Sequence, residues 1–321
     1  PRLDRGALAE REDLQDAAGR LVQAERAGFA VARSEPLALK VGQSIAVTVV
    51  LRVASLAHSL AFYVEKLGLV AAAVKTDSAE LSVGTDAPVL LRLTEDRAAP
   101  PAPSEAAGLF HAALLLESRS ALAGWVGRAA ERGVEFDGFA DHGVSEAFYL
   151  DDPEGNGVEV YNDRPREIWP WENGLVVMRT KPLDIESIMR EVDSATMAYP
   201  SAPDGLRIGH IHLRVGDVEK AEAFYRGAVG LELTRRRGGA TFMSSGGYHH
   251  HVGANVWESA GAGRRDGERA GLSWFSIEAS DNDTFDATQA RLKAANPPVT
   301  PSSHGLETAD PWGTRIRLLK A

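Results

Sequence analysis

LRVASLAHSLAFYVEKLGL (Leu51–Leu69) and LRVGDVEKAEAFYRGAVGL (Leu213–Leu231) are two versions of one pattern. Leu-Arg-Val opens each, Ser55 or Asp217 follows, Ala-Phe-Tyr stands at 61–63 and 223–225, and Gly-Leu closes each at 68–69 and 230–231. The differences 213 − 51 and 231 − 69 are both 162, so nothing is inserted between the matched positions. A repeat this long means that one architectural unit occurs twice. Each copy reads as an alternating strand, a helix of about ten residues starting near the Ser or Asp cap, and then short strands.

Two weaker copies follow them. Gly108–Leu114 opens a strand, Leu122 to Arg132 makes a helix ending at Gly133, and the stretch around Asp152-Pro153 closes the unit. Gly271–Ile277 opens the fourth copy, Phe285 to Ala294 makes its helix, and Asp310-Pro311-Trp312-Gly313 repeats the turn. The chain therefore predicts four βαβββ modules, at 45–94, 108–165, 207–258 and 271–320. One such module has an open sheet with a helix over one face, so modules should pair into open half-barrel cups, an α+β fold. The expected organisation is an N-terminal tail or helix at 1–43, a first two-module half at 44–165, a linker at 166–205 holding a helix near 184–193, and a second half at 206–321.

Composition narrows the partners. A formal charge of -10, without dominant basic clusters, disfavours nucleic acid and anionic membranes and leaves small molecules. With no cysteine, disulfides, thiolate metal sites and thiol nucleophiles are excluded together, so any metal must use histidine and carboxylate. No apolar run reaches the length of a membrane span and no signal layout opens the sequence, so a cytoplasmic location is expected. Open sheet edges make a homodimer or homotetramer the expected assembly.

The stretch HGVSEAFYLDDPEGNGVE (His142–Glu159) holds the chemistry. Pro153 presets a turn and Gly155 tolerates positive φ, so DPEGNG reverses the chain into the alternating strand Val158–Tyr161. Its spacing places His142 before Phe148-Tyr149, then Asp152-Pro153, Gly155 and Glu159. It resembles the signature of extradiol ring-cleavage dioxygenases, within the vicinal oxygen chelate superfamily of glyoxalases and dioxygenases, and departs from it at Ala140. The resemblance implies that Glu159 is a metal ligand and that His142 and Tyr149 hydrogen-bond the substrate oxygen.

In that superfamily the ligands come from the first and last strands of paired modules. With the repeat as a ruler, module one offers Thr48, module two His111 and Glu159, module three His210, and module four Trp274 and Arg317. Only a pairing of module two with module three gathers two histidines and a carboxylate, the set suited to non-haem Fe(II) with open positions. His212 shares a strand face with His210 and is the rival ligand. The string Tyr248-His249-His250-His251 ends module three, where extradiol enzymes carry a proton-moving histidine. Strand alternation puts His249 and His251 on one face and His250 on the other, with His251 the first choice and His249 the second.

The resemblance thus implies cleavage of a small aromatic diol by O2 at Fe(II), with Mn(II) as the alternative ion. Two other readings stay open: a glyoxalase-like isomerase or lyase using another divalent ion and a fourth protein ligand, and a metal-free small-molecule-binding resistance protein.

Overall fold

The computed structural model describes residues 48–192, 202–203 and 205–320, so the expected element at 1–43 lies outside the described residues. Module one runs β1 (Val49–Val53), α1 (Leu56–Leu60, continuing as a π-helical segment Ala61–Lys66), β2 (Val70–Val74), β3 (Ser78–Ser82) and β4 (Leu91–Glu95). Module two runs β5 (Gly108–Leu116), α2 (Arg119–Glu131), β6 (Gly138–Asp141), β7 (Ser145–Asp151) and β8 (Gly157–Asp163). The short strands β9 (Trp171–Glu172) and β10 (Leu175–Val176) and the helix α3 (Ile185–Met189) follow. Module three has β11 (Arg207–Arg214), α4 (Val218–Glu222, continuing as a π-helical segment Ala223–Val229), β12 (Glu232–Arg237), β13 (Ala240–Ser244) and β14 (Val252–Asn255). Module four has β15 (Gly271–Glu278), α5 (Asn282–Ala295), β16 (Val299–Ser302), β17 (Gly305–Ala309) and β18 (Arg315–Leu319).

All four module helices start in the same way. Ser55, Ser118, Asp217 and Asp281 each stand in extended conformation and accept from the backbone N–H three residues on, which satisfies a donor that the first turn leaves unpaired.

The modules pair out of sequence order. One eight-stranded sheet joins modules four and one in the order β16-β17-β18-β15-β1-β4-β3-β2; the other joins three and two as β12-β13-β14-β11-β5-β8-β7-β6. At the centre of each, the first strands of two modules lie antiparallel: β1 on β15, and β5 on β11. Period-two geometry then sorts the side chains. Ala112, Leu114, Leu116, Val158 and Val160 join a continuous core with Leu122, Trp125 and Val126 of α2, while Ala113, Leu115, Ala147 and Tyr161 cluster on the opposite face. That second face lines the cup and carries His111, Glu159 and His210.

Candidate metal centre

The register brings the three expected ligands together. β5 and β8 are parallel with Ala113 opposite Glu159, and β5 and β11 are antiparallel with Ala113 opposite His210. His111 is two residues from Ala113, on the same face. The result is a buried cluster: His111 Nε2 lies 2.9 Å from Glu159 Oε2, His210 Nε2 lies 3.1 Å from the same oxygen, and the two Nε2 atoms are 3.2 Å apart. Exposure of the three residues is 6%, 1% and 2% for His111, His210 and Glu159.

Those spacings fit an ion. Cis ligands at about 2.1 Å from an octahedral centre stand about 3.0 Å apart, against about 3.4 Å in a tetrahedron; the two distances to Glu159 Oε2 fall nearer the former and the third lies between the two. Burial pushes the Glu159 carboxyl up, but the neighbouring His210 and His111 outweigh it and leave the group well below the usual carboxylate range. Burial brings the His210 imidazole down to about 4, with Glu159 offsetting part of the shift. At neutral pH the cluster therefore offers an anionic oxygen and a neutral imidazole at His210. Two ring nitrogens facing each other cannot both donate, whereas both lone pairs can serve one cation. Among the described residues these three form the group of histidine and acidic side chains that could hold a metal.

The supports behind the ligands are specific. The Tyr161 hydroxyl lies 3.2 Å from His210 Nδ1 and 2.8 Å from the Tyr248 hydroxyl, which donates to Asp163 at 2.9 Å. Gly209 is the extra residue where β11 bulges against β5, and a Cβ there would sit 1.9 Å from the Tyr161 oxygen. His142 and Tyr149 also meet. His142 Nδ1 must donate to the Arg179 carbonyl at 2.8 Å, so neutral His142 accepts from the Tyr149 hydroxyl through Nε2 at 2.7 Å. Burial lowers the His142 pKa, which favours that neutral form. Tyr149 is the direct cross-strand neighbour of Glu159.

The histidine string sits differently from its expected alternation, because β14 begins only at Val252 and residues 249–251 belong to the preceding loop. His249 Nε2 donates to Asp163 at 2.8 Å and its Nδ1 faces His250 Nδ1 at 2.8 Å. The His250 ring lies against that of His210, centroids 4.0 Å apart, and its Nε2 has no hydrogen-bond partner among the described residues. His251 stacks on Tyr248 and accepts from the Ser245 amide at 3.2 Å. His212 is buried 4.9 Å from the His111 ring without joining the ligand group.

Phe110 is the extra residue of a second bulge and lies 5.2 Å from the His212 ring and 5.4 Å from Trp257. Bulges of this kind re-aim a side chain. Sequence reasoning singled out neither His250 nor Asp163. The alternation after Glu159 could have found Asp163, four residues on along the same face. Residues 166–178 also close one side of the cup, since Trp169, Val176 and Met178 pack with Val144, Ala240 and Phe242.

In the sister sheet the slots equivalent to the ligands hold other chemistry. Ser276 pairs with Arg317 as Ala113 does with Glu159, and the Arg317 guanidinium lies 3.8 Å over the Trp274 ring. The Thr48 hydroxyl donates to the Val89 carbonyl.

Paired βαβββ modules around a buried cluster of two histidines and a carboxylate that could hold a metal define a class of half-barrel proteins. The chain belongs to the Glyoxalase/Bleomycin resistance protein/Dioxygenase superfamily, whose pattern matches residues 45–160 and 207–318. A catechol-2,3-dioxygenase of Bacillus subtilis (strain 168) is 36% identical over 265 residues, 81% of this chain and 92% of the relative. Among solved structures, glyoxalase I from Zea mays superposes with a TM-score of 0.52 at 15% identity, covering 86% of this chain and 92% of that one. The cppA protein of Streptococcus pneumoniae does so at 0.53 and 14%, covering 88% and 100%. At these identities the structural likeness speaks for the fold. No helix among the described residues is long and apolar enough to cross a membrane.

Proposed function

We propose that this protein cleaves the ring of a catechol-type aromatic diol with O2, beside the two hydroxyls, at a mononuclear Fe(II) site held by His111, His210 and Glu159. The observation that carries the reading is the mutual spacing of the three ligand atoms, 2.9, 3.1 and 3.2 Å, in a buried cluster. A face of three protein ligands leaves the other face for exchangeable ones. The likeness to a relative named catechol-2,3-dioxygenase supports the same reaction class. Iron, when bound, supplies a Lewis acid for the diol oxygens and an electron source for O2.

The chain's own groups divide the remaining work. Tyr149, fixed by His142, presents its hydroxyl beside Glu159 to orient the substrate oxygen. Asp163 accepts from His249, so a neutral His249 accepts from His250, and His250 is left with a bare Nε2 next to His210. That makes His250 the group placed to take a proton from the diol, the task first given to His251, with His249 orienting it. Phe110, Trp257 and Phe242 surround His212 with aromatic rings, a wall matched to a flat aromatic substrate.

Anaerobically purified protein is expected to hold about one iron per chain and, with catechol, to consume O2 and form a yellow ring-cleavage product. Iron-loaded protein that consumes no O2 with any simple catechol, or that isomerises a thiohemiacetal instead, overturns the reading.

A further inference from the structure

Two adjoining cavities lie where the segment between modules one and two meets the segment between modules three and four. The first, about 380 Å³, is bordered by the starts of β5 and β15, by Glu154 and Asn156, and by Arg214, Arg264, Arg265 and Arg269. The second, about 310 Å³, shares Arg264 and Arg265 and adds Arg52 and Arg315. Six guanidiniums, with the four carboxylates Glu105, Glu154, Asp266 and Glu268, thus border the two neighbouring cavities in a chain whose formal charge is -10. Gly108, on the wall of the first cavity, is three residues before His111, or about 10 Å along the strand, so the space is separate from the metal ligands.

The acidic groups at the rim neutralise three of these arginines, Arg52, Arg269 and Arg315, and leave Arg264 and Arg265 as the cations available to a ligand. Glu268 and Asp96 pair with Arg52 at 3.0 and 3.2 Å, Asp266 pairs with Arg269 at 3.4 Å, and Glu154 accepts from the Ala54 and Ser55 amides. Arg315 reaches Glu307 at 3.6 Å. Arg264 and Arg265 make no ion pair among the described residues. Their backbone is held in place. Gly261 N–H donates to Gly216, Trp312 Nε1 to the Ala262 carbonyl, Arg265 N–H to Trp312, and Ala270 N–H to Pro100. Burial, and then the charges of Arg315, Arg214 and Arg52, push Arg265 below its ordinary value, with Asp310 opposing. Like charges gathered on a fixed loop are relieved by an anion, and the planar guanidinium fork matches phosphoryl and carboxyl oxygens.

We propose that the twin cavities are a binding site for a small organic anion bearing phosphoryl or carboxyl groups, clasped by Arg264 and Arg265. The combined space is that of a site for a small metabolite. This site is independent of the reaction proposed above, and none of its arginines belongs to the metal centre.

The test is calorimetric titration of the metal-loaded full chain, at constant ionic strength, with glycerol 2-phosphate, succinate and, as a neutral control, glycerol. Saturable binding of either anion, silence with glycerol, and at least about tenfold weakening in the Arg264→Gln/Arg265→Gln double variant are expected. The tighter of the two probes assigns the phosphoryl or the carboxyl class. Catechol turnover without added anion should be unchanged in the double variant. Should that variant fail to fold, as judged by circular dichroism, Arg315→Gln serves in its place and should weaken binding severalfold. No saturable heat up to about 10 mM of either anion, or undiminished affinity in the folded variants, overturns the proposal.

Discussion

Glu159 brings the negative charge to the candidate centre, so replacing it by an isosteric amide separates charge from shape. Glu159→Gln should retain less than about a tenth of the wild-type metal content and lose at least about a hundredfold in O2 uptake with catechol, while its circular dichroism spectrum stays native. Metal retained at wild-type level would remove Glu159 from the ligand set. His251 offers a second handle, on stability. It is 5% exposed, and burial, followed by the charges of His249, His210 and Arg166, lowers its pKa to about 3. The unfolded value is about 6.5, so between those two pH values the unfolded chain binds a proton that the folded chain refuses. This group therefore costs nothing above pH 6.5, and stability is lost as the pH falls from there towards 3. The loss is about 2 kcal/mol at pH 5. His251→Gln should narrow the gap between melting temperatures measured at pH 7.5 and pH 5; an unchanged gap would mean that His251 does not titrate this way.

At the level of elements, the two π-helical segments have a common consequence. The Tyr63 hydroxyl from α1 donates to Asp152 at 2.9 Å, and the Tyr225 hydroxyl from α4 donates to Asp310 at 3.2 Å. Each Asp also holds its own turn through Oδ1, which accepts from Glu154 and Asn156 in one case and from Trp312 and Thr314 in the other. The Asp-Pro turn of the motif is thus a structural fastening between sheets, with Glu159 two residues into the strand that follows it. Removing the hydroxyl leaves a buried carboxylate short of a donor, so Tyr63→Phe and Tyr225→Phe should each destabilise by about 1–3 kcal/mol in urea unfolding. The two share no partner and should add in the double variant. A loss well below that range in both would mean that the turns hold themselves. The modules, the out-of-order pairing and the meeting of His111, Glu159 and His210 were legible because a repeat and a period of two translate directly into slots on strand faces. The Tyr–Asp fastenings were not, since they join residues 89 and 85 positions apart through helix packing that no local pattern encodes. Residues 249–251 misled for a different reason. Gly246 and Gly247 both have positive φ, and the chain turns there before β14 begins, so strand alternation did not yet apply. Phe110 escaped because a bulge, invisible in an alternating pattern, turns it towards His212.

Across the whole molecule, each sheet is closed at its centre by strands from opposite halves of the sequence. β1 pairs with β15 and β5 with β11, so a chain divided between 192 and 206 would leave β1 and β5 in one fragment and β11 and β15 in the other. Both fragments would then expose apolar strands along unpaired edges, which favours aggregation over independent folding. The candidate site is divided as well, with His111 and Glu159 on the first piece and His210 on the second. Fragments 1–200 and 201–321 produced separately should lack a cooperative unfolding transition, and neither should bind iron above background. Produced together, they should associate through the two central strand pairs and recover metal binding, because the ligand atoms meet only when β5 and β11 do. Separate fragments that each melt cooperatively would place the stabilising contacts within consecutive modules, and iron bound by the first fragment alone would show that His210 is dispensable.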